Sequence, residues 1–353
     1  MEIDQDGLTP AERRYLHLAR RFRSTMPENP KFGSLRGTKT YAGTVGPLEF
    51  QDAMVLGGEW AVVVGDRIFC DFLVQTPSPP ETAFLTRFGL DDDVIELIHE
   101  QPGDAAVAKA FLLGGCHNYS HWLLDYLPRL RLHGDVSVPL IVNGPMAQFQ
   151  SESLKFLGIE GDGLIQLEYP ATLPVRQLFY PSICSSSITP PHPFRPEILG
   201  WLRDAFAPLM TGGRKDRRIF ISRSGETQSW RRRLLNHEEI ESIAKTHDFE
   251  VVALEKFSFA EQVRLFSSAA VIAGAHGAGF ANMAFAPAGT KLIGPKFSDS
   301  PWSMEYAGIA EMSEQAFTRI VGQGDEHGSV KFDHLPYEAY YIDPEEFESV
   351  IDK

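Results

Sequence analysis

The sequence predicts an α/β protein of two Rossmann-like domains facing a cleft, with an N-terminal helix and a β-rich extension. Three observations predict it. From Ala106 onward short apolar runs alternate with helix-compatible runs. The stretch Ser182–Pro196, rich in Ser, Pro and Thr, interrupts that alternation and reads as a linker. The alternation then resumes, and its junction from Ala270 to Asn282 carries a glycine-rich turn between a strand and a helix. A chain of 353 residues is comfortable for two such domains.

Element by element, Thr9-Pro10-Ala11-Glu12 opens a helix that continues to Arg23. Thr9 can cap it, Pro10 suits its first position, and Pro27 and Pro30 close it. Residues 1–30 are therefore read as a helical appendage. Trp60 to Val64 and Arg67 to Val74 flank Gly65-Asp66, a hairpin signal. Glu81 to Glu100 reads as helical. Its Asp91-Asp92-Asp93 is either a metal–nucleotide contact or the acidic start of a helix. Strands are expected at Val107–Leu113, Val138–Val142, Leu164–Leu167 and Val175–Tyr180, with a helix from Tyr119 to Leu132. These place a first α/β domain with its hairpin extension at 31–190. A second domain, 191–330, has strands at Arg218–Ser222, Phe249–Leu254, Ala270–Ala273 and Lys291–Ile293. Its helices are expected at Glu197–Ala207, Asn236–Thr246, Ser258–Ser268 and Gly279–Ala286. Residues 331–353 read as an acidic tail ending in a helix.

Composition excludes several classes. Hydrophobic residues make up 43% and charged residues 23%, so a sizeable core can be buried. A net charge of −14 argues against a nucleic-acid partner, which needs a basic balance. One basic island gathers Arg214, Lys215, Arg217, Arg218, Arg223, Arg231, Arg232 and Arg233 against Asp216 and Glu226. It suits a small anionic ligand, or it is a solvated run of charge. Cys70, Cys116 and Cys184 are odd in number and widely spaced. They exclude a disulfide framework and a C-x-x-C metal knuckle and fit a reducing compartment. Met1–Asp6 lacks the apolar core of a signal peptide, and no apolar run approaches the roughly 20 residues of a membrane helix. The expected location is cytoplasmic, with no integral membrane segment.

Three clusters can carry chemistry. The first runs from Gly114 to Leu130 and follows a strand, where open α/β sheets bind ligands. On a helix Asn118, His121 and Asp125 share one face. A His–Asp pair at i, i+4 can act as base and orienter, or Asp125 can take a proton alone. The plain alternative pairs Asp125 with Arg129 and leaves His121 as an interface residue. A third reading makes His117, His121 and Asp125 a hydrolytic metal site, although no Glu follows the first His as in zinc proteases. The second cluster is Ile219 to Ser224 with Arg231 to Glu239. Arg223 ends a strand, where a guanidinium can hold two phosphate oxygens, and Asn236 caps a helix whose first turn carries Glu238 and Glu239. A surface loop bearing arginines for solubility is the alternative. The third cluster is the His276-Gly277-Ala278-Gly279 turn, preceded by the Ser258/Glu261 capping box and followed by Asn282. Glycines let backbone N–H groups approach an anion at a helix start, and His276 can donate to it. A tight turn without a ligand is the competing view.

The motifs Asn118-Tyr119-Ser120-His121-Trp122 to Asp125 and Leu127-Pro128-Arg129-Leu130, then Ile221-Ser222-Arg223 with Arg233, Asn236 and Glu238, then Phe259 to Gln262 with His276-Gly277-Ala278-Gly279 and Asn282, resemble family 61 glycosyltransferases in order and spacing. The resemblance spans about Trp60 to Ile293. It implies a two-domain GT-B-like fold and inverting transfer of a sugar from a nucleotide-sugar, usually UDP-linked, to a glycan hydroxyl, often in surface polysaccharide assembly. It places the donor on the second domain, against Arg223, Arg233, Asn236, Glu238, His276, Gly277, Ala278, Gly279 and Asn282. Asn118 and Tyr119 fall on the acceptor side. Asp125, oriented with His121, is the expected base, and no metal or other cofactor is required because fixed cations and a helix terminus replace it. One departure stands out: the family often ends the strand after the His loop in Glu, whereas this chain reads Leu292-Ile293-Gly294-Pro295. That departure leaves open a rival reading, a non-catalytic nucleotide-sugar-binding subunit of an assembly complex.

Overall fold

The computed structural model describes residues 31–33, 47–58, 60–64, 67–69, 107–134, 137–168, 171–181, 196–210, 213, 215–223, 234–296, 305–324 and 340–352. The helix expected at Thr9–Arg23, the Gly65-Asp66 turn, Asp91–Asp93, most of the expected linker and Arg233 lie outside the described residues. The chain divides into two compact units, one of Met1–His117 and His121–His192, the other of Asn118–Ser120 and Pro193–Lys353.

In the first unit the described strands form one mixed sheet. They are β1 (Lys31–Gly33), β2 (Leu48–Leu56), β3 (Ala61–Val64), β4 (Arg67–Phe69), β5 (Val107–Gly114), β6 (Leu140–Gly144), β7 (Leu164–Glu168) and β8 (Thr172–Tyr180). Their order is β1-β4-β3-β2-β8-β5-β6-β7. Strands β5, β6 and β7 pair in parallel, as a Rossmann-like half requires. The β-rich stretch expected as an extension is continuous with it through β8, which pairs parallel to β5 and antiparallel to β2. Both edges of β8 are therefore hydrogen-bonded, and Val55, Leu56, Val62, Phe111, Ile141 and Leu178 of this sheet are each buried.

The segment expected as one helix from Tyr119 is helical but irregular. A single α turn, Tyr119–His121, passes into a π-helical turn, Trp122–Tyr126, and then a 3-10 stretch, Leu127–Leu132. Pro128 supplies the reason: it has no N–H to donate, and its ring collides with the carbonyl four residues back in α geometry. The helix also begins after Asn118, so Asn118 precedes the face it was expected to share with His121 and Asp125.

The second unit has a parallel sheet of β9 (Arg217–Ser222), β10 (Glu250–Ala253), β11 (Ala269–Gly274), β12 (Lys291–Lys296) and β13 (Ala316–Val321). Its order is β10-β9-β11-β12-β13. The chain moves outward from β9 to β10, then returns to the other side of β9 with β11. The carboxyl ends of β9 and β11 thus flank a topological switch point, the place where open parallel sheets bind ligands. The helix Pro196–Phe206 is fastened to this unit by Arg203, whose guanidinium donates to the Ala284 and Ala286 carbonyls at 2.8 and 2.5 Å.

Two expectations change here. The helix expected at Gly279–Ala286 is a 3-10 helix, Ala278–Phe285. The acidic tail expected at 331–353 supplies core structure: strand β15 (Tyr340–Tyr341), which pairs with β14 (Gln323–Gly324), and the helix Pro344–Ile351. Tyr340, Ile342, Phe347 and Ile351 are buried with Phe220, Ile240, Phe249, Ala273 and Ile293. Glu345 and Glu346 stand in the first turn of this amphipathic helix, and Glu345 and Glu348 are exposed on it. Arg218 and Lys291 donate to the Ile351 and Val350 carbonyls at 2.8 and 2.6 Å, so two cations meet the helix's negative end.

Candidate active site

Arg223 follows β9, and the His276 loop follows β11, so both stand at the switch point of the second unit's sheet. Gly274 makes the turn possible. Its φ is +151°, and a Cβ there would stand 2.5 Å from the Ile221 carbonyl oxygen. Arg223 Nη1 donates to the His276 carbonyl at 2.7 Å. A Cβ on Gly277 would stand 3.3 Å from that same Nη1, so the bare glycine backbone lets the guanidinium lie against the loop. The loop then enters the helix Ala278–Phe285, whose first N–H groups have no partners further back in the helix.

Two tyrosines hold the same few atoms. The His276 N–H donates to the Tyr340 hydroxyl at 3.2 Å, and the Tyr306 hydroxyl donates to the Gly277 carbonyl at 2.9 Å. Sequence reasoning missed both, because neither lies in a motif. Beside Arg223, the Ser222 hydroxyl donates to the Glu241 carboxylate in a short contact. This pair was missed as well, although Glu241 at the inward-turned side of an otherwise acidic helix is a weak signal.

Deeper in the second unit runs a chain of buried amides. Asn282 is fully buried and accepts from the Tyr119 hydroxyl at 2.6 Å. Its Nδ2 donates to Gln262 Oε1 at 3.0 Å and to the Gly279 carbonyl at 3.1 Å. Gln262 in turn donates to the Leu254 and Phe257 carbonyls. Burial pushes the Tyr119 phenol well above its ordinary range, which keeps it a hydrogen-bond donor. The two residues expected on opposite sides of a reaction, Tyr119 and Asn282, are bonded to one another.

Asn236 is also reassigned. It precedes the helix His237–Thr246 as expected, but its side chain makes no cap bond. Its amide pairs with the backbone of Ile342, donating to the carbonyl at 2.8 Å and accepting from the N–H at 3.2 Å. Asn236 therefore ties the C-terminal segment to the sheet, and the pull of Ile342 outcompetes the local cap. Glu238 stands exposed in that helix's first turn.

In the first unit, His121 Nδ1 lies 2.8 Å from Asp125 Oδ2, the i, i+4 geometry the spacing predicts. Asp125 is almost wholly buried, with a side chain 2% exposed, while that of His121 is 13% exposed. The expected alternative, a carboxylate pair between Asp125 and Arg129, does not form. Arg129 donates to the main-chain carbonyls of Asp125 and Leu113 at 3.1 Å each and stacks its guanidinium 4.5 Å from the Tyr126 ring centroid. The Gly114-Gly115 loop before this segment is cradled by residues sequence reasoning passed over. Trp60 Nε1 donates to the Gly115 carbonyl, and Gln150 Nε2 to the Cys116 carbonyl and to Asn143 Oδ1. His117 is exposed and its Nε2 lies 2.8 Å from the Pro145 carbonyl. Among the described residues no group of three or more His, Cys, Asp or Glu is placed to hold a metal ion.

An arginine and a glycine-rich helix start at the switch point of a parallel sheet form the arrangement by which α/β proteins bind phosphorylated ligands. Residues 119–293 match the family described as Glycosyltransferase 61, and the chain belongs to that family; it is a glycosyltransferase. The match takes in the His121–Asp125 pair, Arg223 and the His276 loop. No curated protein matches the chain. Among the described residues no helix is long and apolar enough to cross a membrane.

Proposed function

We propose that the enzyme transfers a sugar, with inversion, from a UDP-linked donor to a glycan hydroxyl, and that the donor diphosphate binds at the Arg223–His276 loop. The observation that carries this reading is the packing of the Arg223 guanidinium against the bare Gly277 backbone at the start of the helix Ala278–Phe285. A guanidinium and partly positive N–H groups in one place favour a charge of two phosphates, and they do so without a metal. Ala278 and Gly279 contribute backbone, and His276 is a neighbouring donor. Asn282 supports the loop from below through Gly279, and Asn236 through Ile342, so neither need touch the ligand.

The base in this reading is His121, with Asp125 as its orienter, which reverses the order expected from sequence. An ionised carboxylate only accepts, so the Asp125 contact places the imidazole hydrogen on Nδ1 and makes Nε2 the basic nitrogen of the ring. Of the two side chains His121 is also the more exposed. Nε2 takes the acceptor's hydroxyl proton, and the oxygen bonds to the anomeric carbon as the bond to the diphosphate breaks. The diphosphate leaves with its charge held by Arg223 and the helix start.

Thermal unfolding with UDP-, GDP- and dTDP-sugars, with and without chelator, tests the donor side. A chelator-insensitive rise with UDP-sugars that disappears in Arg223→Ala is the expected result, since a ligand at a hundred times its Kd adds about 2.7 kcal/mol. A shift from another nucleotide alone would replace the UDP assignment, and an undiminished shift in Arg223→Ala would move the site elsewhere.

A further inference from the structure

The peptide groups around Gly277 are held from three separate parts of the second unit. Arg223 takes the His276 carbonyl, Tyr306 on the helix Glu305–Met312 takes the Gly277 carbonyl, and Tyr340 on β15 takes the His276 N–H. Because a peptide is planar, holding the His276 carbonyl also fixes the Gly277 N–H, and holding the Gly277 carbonyl fixes the Ala278 N–H. Tyr340 is itself immobilised: its ring is buried, its carbonyl accepts from the Leu235 N–H at 2.8 Å, and Asn236 pairs with Ile342 two residues on. The ring of Tyr306 lies 5.7 Å from that of His276 and 5.6 Å from that of Phe280, centroid to centroid, which sets its hydroxyl over the loop. Both hydroxyls are thus directed at main-chain atoms of a loop whose glycines carry no side chains.

We propose that Tyr306 and Tyr340 are positioning residues of the donor site, clamping the glycine loop so that its N–H groups are already aimed when the nucleotide arrives. The proposal rests on the reading that this loop binds the donor diphosphate. It gives Tyr340, through its hydroxyl, a role in donor binding, although that residue lies beyond the family match. Preorganised donors bind an anion more tightly than donors that must first be ordered.

The test uses the full chain and UDP as probe. Tyr340→Phe and Tyr306→Phe each remove one hydroxyl and keep the buried ring. Phe347→Leu, in the same core cluster but without a bond to the loop, serves as the control for simple destabilisation. Calorimetric UDP affinity is measured well below the melting temperature, together with amide hydrogen exchange over residues 274–280. The expected result is about a five- to tenfold weaker Kd in each tyrosine variant, the loss of one hydrogen bond's net worth, with faster exchange in that peptide. Phe347→Leu lowers Tm and leaves Kd unchanged. Wild-type UDP affinity in both tyrosine variants, with affinity lost in Arg223→Ala, overturns the clamp while the donor site stands. Wild-type protein that does not bind UDP, or Arg223→Ala that binds it normally, removes the donor reading and this inference together.

Discussion

Tyr119 and Asn282, 163 positions apart in the chain, share a 2.6 Å hydrogen bond inside the second unit. It is the outermost link of a buried series that ends on the Gly279, Leu254 and Phe257 carbonyls. Low surrounding polarity makes every member of such a series costly to leave unpaired. Asn282→Leu therefore destabilises the protein by about 1–3 kcal/mol, because the Tyr119 hydroxyl and Gln262 Oε1 lose their partner. Urea unfolding of Asn282→Leu, Tyr119→Phe and the double variant checks this. The double variant should cost less than the sum of the singles, and strict additivity would show that the bond is not formed.

The His121–Asp125 pair makes a kinetic prediction. Asp125→Asn and His121→Gln should each reduce kcat by about 10²–10⁴ while the fold survives, and the double variant should be little worse than either single one. Steady-state transfer assays with matched Tm measurements decide it. Turnover near wild type in His121→Gln would return the role of base to Asp125 or move it elsewhere.

Two glycines separate conformational need from space. Gly274→Ala forces a Cβ against the Ile221 carbonyl at a φ of +151°, which should cost about 1–3 kcal/mol and distort the loop that carries His276. Gly294, where the family often has an acid, sits in β12 with Phe280 and Phe317 ring atoms 3.6 Å from the position of a Cβ. Gly294→Ala should thus leave Tm nearly unchanged, whereas Gly294→Glu overpacks those rings and lowers it. Differential scanning calorimetry of the three variants ranks them.

The C-terminal helix carries a pH dependence. His247 bridges Glu348 at 3.0 Å and Asp352 at 2.7 Å, and these carboxylates, Glu348 first, raise its pKa above the ordinary value. A group whose folded pKa is raised contributes stability that is whole below its unfolded pKa, about 6.5, and is lost as pH climbs through the folded value. Wild-type protein should accordingly lose more Tm than His247→Gln on going from pH 6 to pH 9. Because the group is solvent-accessible, the difference should shrink at high salt. Equal losses in the two proteins would show that the bridge does not form in solution.

Much of this was legible in the sequence because it is local. The strand before Gly274, the Ser258/Glu261 capping box and the four-residue spacing of His121 and Asp125 all depend on backbone periodicity within a turn or two. Even there local rules sometimes offered two answers. Asp125 had both His121 and Arg129 within reach, and Arg129 was drawn away by the Leu113 carbonyl and the Tyr126 ring. Pro128 was visible, yet the π turn before it was not, since α and π turns differ in how the freed carbonyls are satisfied.

By itself the sequence determined the alternation that makes an α/β protein, the arginine at one strand end and the glycine loop at another, and the family to which they belong. Only the tertiary structure decided which atoms those residues meet. It turned Asn236 from a cap into a tie for Ile342 and joined Tyr119 to Asn282. It buried an apparently acidic tail as core and brought Tyr306 and Tyr340 to the loop. The reason is physical: periodicity encodes which face of an element is buried, but a hydrogen bond between residues a hundred positions apart depends on ångström-scale placement that only packing of the whole unit sets.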